Sequence, residues 1–88
     1  MQYELIELVK NLTDIIYKEL PPTVNGSKRL AIAQRVALEL ANKICKESAD
    51  LTKRPNLLEY SLWLEYDILI SNESRRRLFS LVKANSIH

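Results

Sequence analysis

One glycine, one cysteine, one histidine and three prolines in 88 residues remove several classes of protein at once. Cys45 has no second thiol for an internal disulfide, the usual staple of a small domain. One Cys and one His cannot furnish the four ligands of a structural zinc site. Gly26 alone makes no glycine-rich phosphate loop. No apolar run nears the roughly 18 residues of a membrane span, and Met1-Gln2-Tyr3-Glu4 lacks the basic start of a signal peptide. A lone thiol also suits a reducing compartment, so a cytoplasmic location is expected.

What is present is helical and marginal in size. A 10.2 kDa chain makes one domain, residues 1–88. By size scaling it should expose about 5,300 Å² when folded, burying only roughly 64% of its unfolded surface. With disulfide and metal unsupported, association with a partner subunit is the remaining route to comfortable stability. Leu5, Leu8, Leu12 and Ile15 or Ile16 recur every three or four residues, the spacing of an amphipathic helix that Pro21 and Pro22 stop. Pro21 to Ser27 reads as a loop, and the Ser27 hydroxyl is expected to cap a second helix over Lys28 to Ser48. There Leu30, Val36, Leu40 and Ile44 mix with Ala31, Ala33, Ala37 and Ala41 on the apolar face. A second loop is expected over Ala49 to Pro55. Asn56 and Glu59 have capping-box spacing, which predicts a third helix from Leu57 to Ile70. Ser71 and Asn72 separate it from a last helix, Glu73 to Ala84, whose Leu78, Phe79, Leu81 and Val82 face inward. Asn85 to His88 should fray. With no alternating pattern of strands, the expected fold is all-α, an antiparallel up-and-down four-helix bundle.

The third segment is apolar nearly all round, so one small bundle should not cover it. Leu57, Leu62, Trp63, Tyr66 and Ile70 are the candidate subunit-interface residues. Truncating Trp63 should cost about 3 to 5 kcal/mol if the ring lies in the core, and little if it lies on a partner surface.

Catalytic chemistry has little to stand on. His88 is terminal, Cys45 reads as a small buried hydrophobe without a His to activate it, and Glu65 reads as a structural ion-pair partner. No catalytic residue, cofactor or metal is expected. The net charge is only +2, yet it is unevenly spread. Residues 27–56 carry seven bases against three acids, residues 57–70 three acids and no base, and residues 71–88 four bases against Glu73. Lys28, Arg35, Asn42 and Lys46 share one face of helix two, flanked by Arg29 and Lys43. That face reads either as a phosphate-binding stripe or as a solvated one in which Glu39 neutralises Arg35 and Lys43. Arg75, Arg76 and Arg77 fan around the last helix and complete the candidate nucleic-acid-binding set.

The run Arg29-Leu30-Ala31-Ile32-Ala33-Gln34-Arg35-Val36 follows a Pro-containing loop and opens a long helix. Further on stand Leu57-Leu58, Leu62, Leu64-Glu65 and Leu69-Ile70. Together these resemble the accessory variability determinant family of diversity-generating retroelements, small four-helix proteins related to those encoded by ribosomal-RNA intervening sequences. The chain differs from that pattern in a longer loop over Pro22 to Ser27, a shorter link before helix three and a truncated last helix. The resemblance implies a non-catalytic accessory protein, a homo-oligomer and specifically a pentamer, with a basic surface that engages RNA or DNA and a reverse transcriptase. It puts Arg29 and Arg35 in that contact. Two other readings stay open: a bacteriocin immunity protein that recognises a membrane receptor complex, and a plain protein-interaction module.

Overall fold

The structure, a computed structural model, describes residues 2–54 and 56–85. The fold is all-α with four helices: α1 (Gln2–Glu19), α2 (Gly26–Lys53), α3 (Asn56–Tyr66) and α4 (Asn72–Ala84). Helix α1 packs most extensively on α2, α4 lies against both, and α3 rests chiefly on α2. The core comes from the expected periodicities: Leu8, Leu12 and Ile16 of α1, Ala33, Val36, Ala37, Leu40, Ala41 and Ile44 of α2, and Leu78 and Val82 of α4. The alanines let the α2 backbone approach its neighbours, while the branched residues between them fill the space that remains. Leu30, expected inward, is exposed; Phe79 is half-buried beneath Lys83.

Several boundaries differ from expectation. Helix α2 starts at Gly26, not Lys28, and its N-cap is Asn25 without a side-chain hydrogen bond, so Ser27 does not cap it. Gly26 supplies a positive φ of 61° at that entry, a conformation glycine adopts without steric cost. At the other end the helix continues to Lys53 through a kink at Glu47 (φ −124°, ψ 28°) instead of ending at Ser48. Leu51 is buried, and this apolar anchor holds as helix a stretch expected to be loop. Asn56 is already helical and Glu59 bonds to Arg75, so the anticipated capping box does not form. Helix α3 ends at Tyr66, short of Ile70. Asp67 takes a left-handed φ of 57° and its amide donates to the Trp63 carbonyl, the one-bond left-handed C-cap. Asp is among the few non-glycine residues that tolerate this region. Ile68 then donates to the Leu62 carbonyl and drops its side chain into the core, as does Ile70. Asn85 does not fray but caps α4 by bonding back to Leu81. Pro55 and the expectations for His88 lie outside the described residues.

The start of α4 is tied to the end of α1. Ser71 caps α4, and the Glu19 carboxylate accepts from the Ser71 amide (3.0 Å), the Ser71 hydroxyl (3.0 Å) and the Ser74 hydroxyl (2.7 Å). Burial pushes the Glu19 carboxyl up, but these bonds, with Lys18 nearby, outweigh it and hold the group below its ordinary 4.5. A carboxyl depressed by folding stabilises above its unfolded value and loses that contribution as pH falls through the folded one. Urea denaturation at a series of pH values should therefore show stability falling below about pH 4.5. In Glu19→Gln this acid limb should be shallower; an identical limb in both proteins would remove Glu19 from the account.

Candidate interaction surface

Helix α3 is held from three sides and bare on the fourth. At about 100° per residue, Leu58 and Leu62 point into the core, where both are buried. One flank is gripped by α2: Lys43 Nζ donates to Ser61 Oγ and to Glu65 Oε2, each at 3.1 Å. Tyr66 donates to Glu39 on the same side, and its hydroxyl is pushed up to about 12 by burial and by this carboxylate. The other flank is gripped by α4, where Arg75 clasps both Glu59 oxygens, Nε to Oε1 and Nη2 to Oε2, at 2.6 Å. The Arg75 hydrogen bonds hold the Glu59 carboxyl below its ordinary value against opposing burial.

With both flanks pinned, the remaining arc of about 120° is fixed toward solvent. It carries Leu57 (37% exposed), Tyr60 (56%), Trp63 (48%) and Leu64 (57%), and Leu69 at 72% extends it past the helix end. Tyr60 and Trp63 form a tilted ring pair with centroids 6.3 Å apart. Together with Asn56, Glu59, Ile68 and Leu69 they line an open cleft of about 340 Å³. A contiguous apolar and aromatic face of this kind marks a binding surface on a small protein.

Of the five residues singled out for an interface, Leu57 and Trp63 lie on this outer face. Leu62 and Ile70 are corrected to core positions, because the period of the helix and the turn after it direct both inward. Tyr66 is half-buried against Glu39. Tyr60, Leu64 and Leu69 join Leu57 and Trp63 on the outer face, and the three- and seven-residue spacings from Leu57 align the first two.

The basic residues divide into engaged and free. The Arg29 guanidinium donates to the carbonyls of Leu20, Pro21 and Val24, each at 2.9 Å, and sits 5.1 Å from the Tyr17 ring centroid. It closes the end of α1. Lys43 and Arg75 hold α3, and Arg77 Nη2 pairs with Asp14 Oδ2 at 3.0 Å. Glu39 takes Tyr66 rather than neutralising Lys43. Lys28, Arg35, Lys46 and Arg76 are exposed and make no ion pair among the described residues. The three on α2 share one line along the helix, about 27 Å from end to end.

Cys45 is exposed, not buried as expected. Glu65 has its basic partner but is also exposed. Among the described residues no group of three His, Cys, Asp or Glu could hold a metal ion, and no helix is long and apolar enough to cross a membrane. Comparisons with family models, curated proteins and solved structures find no match to this chain.

Proposed function

We propose that this chain is a non-catalytic accessory module that self-associates through the outer face of α3 and offers Lys28, Arg35 and Lys46 to a polyanion, RNA or DNA. One observation carries the reading: with Leu58 and Leu62 buried and an ion pair on each flank, the aromatic and aliphatic stripe of α3 faces water. Two surface ion pairs add little stability by themselves; the buried Leu58 and Leu62 set the inner side of the helix and so leave the stripe outside. The resemblance adds a reverse transcriptase as the partner enzyme, and the free line on α2 supplies cations for a phosphate backbone.

Sedimentation equilibrium tests the association. Wild type should sediment well above the 10.2 kDa monomer. The double variant Leu57→Glu, Leu64→Glu should sediment at the monomer mass with unchanged helical circular dichroism, because both positions face solvent. Wild type remaining monomeric across the concentration range overturns the proposal.

A further inference from the structure

A second apolar surface lies away from the first. Leu5, Ile6 and Val9 of α1 and Leu38 of α2 form an almost wholly aliphatic cleft of about 310 Å³ with Lys10 on its lining. Ile6 and Leu38 are 54% and 50% exposed. Around α2, Leu38 and the α3-gripping Lys43 diverge by about 140°, so the two surfaces look in different directions.

We infer that the outer face of α3 seats on the α1–α2 cleft of a second copy of this chain, rather than on its own counterpart. This rests on the reading that association runs through α3. Two observations favour the pairing of unlike faces. The charges are complementary. Lys10 beside the cleft and Asp67 at the end of α3 are both exposed and both unpaired among the described residues. Glu59 and Glu65 are already paired with Arg75 and Lys43, so α3 against α3 would offer Asp67 no free cation and would leave the aliphatic cleft wet. A contact between unlike faces leaves one of each free, and it propagates until the assembly closes.

Two variants separate the possibilities by sedimentation. Variant A, Ile6→Glu with Leu38→Glu, spoils the cleft and keeps α3; variant B, Leu57→Glu with Leu64→Glu, does the reverse. Each alone should run as a monomer, and their equimolar mixture as a dimer, a twofold rise in mass. If variant A alone associates like wild type, the unlike-face pairing is overturned while α3 self-association stands. If variant B alone associates like wild type, α3 itself is the wrong surface and both fall. A mixture that stays monomeric overturns the pairing. Should variant A lose its helical circular dichroism, the exposed charges serve instead. Lys10→Gln and Asp67→Asn, the latter keeping a residue that tolerates the left-handed turn, should each weaken association about threefold, and combining them in one chain should weaken it no further than either alone. Unchanged association in both single variants overturns the pairing.

Discussion

Leu62→Ala should destabilise the folded chain by about 3 kcal/mol, while Leu64→Ala, two residues along the same helix, should stay within about 0.5 kcal/mol of wild type. Leu62 has no exposed surface and belongs to the common core with Leu58 and Ile68. Its truncation removes transfer free energy and leaves a cavity that the surrounding helices fill only in part. Leu64 is 57% exposed, so the same truncation removes atoms already in contact with water. Against the 5–15 kcal/mol available to a domain, the first change is a large share of the whole. It should lower Tm by roughly 15 °C, the second by almost nothing. Trp63→Ala should fall between the two in monomer stability, since Trp63 is 48% exposed but larger than Leu64. Equal losses at 62 and 64 in urea melts under monomeric conditions would place the two faces of α3 wrongly.

Arg29→Ala should destabilise by about 2 kcal/mol and leave polyanion affinity unchanged, the opposite of what a triple Lys28→Gln, Arg35→Gln, Lys46→Gln variant should do. The Arg29 guanidinium spans three carbonyls at the α1 terminus and its Pro-Pro turn, those of Leu20, Pro21 and Val24, sharing the Pro21 oxygen with the Val24 amide. A planar fork of donors reaches all three; the single ammonium of Arg29→Lys does not, so that substitution should recover only part of the loss. The triple variant removes exposed charge without touching the core. Its stability should be nearly unaltered, and the slope of log affinity against log salt on duplex DNA should fall by about 3, near 0.9 per phosphate contact. Titration at several salt concentrations beside a denaturant melt reads both effects. A slope that drops in Arg29→Ala but not in the triple variant would reverse the assignment.

Periodicity alone revealed the helices, because Leu8, Leu12 and Ile16, or Val36, Leu40 and Ile44, have no way to be buried together except on one helical face. Helix ends were less legible. The stretch Ser48 to Lys53 is rich in residues common in loops, yet the buried Leu51 keeps it helical. Asp67 stops α3 where no glycine or proline announces a stop, and local sequence rarely specifies such a left-handed residue. The surface divided in the same way. An excess of apolar residues on the third helix was visible, but separating inner Leu62 from outer Leu64 required knowing which way α2 and α4 hold the helix. Arg29 shows a further limit: a cation committed to backbone carbonyls nine residues back is indistinguishable, in sequence, from one left for a phosphate.

Helix α3 combines a bare outer face with only two fully inward leucines, and its remaining bonds to α2 and α4 lie largely at the solvent-exposed rim. Segments with so few buried contacts open locally at a free energy well under that of global unfolding. A ligand on the stripe therefore does more than cover greasy area. It also restrains that local opening, and some of the binding free energy is consumed in the stiffening.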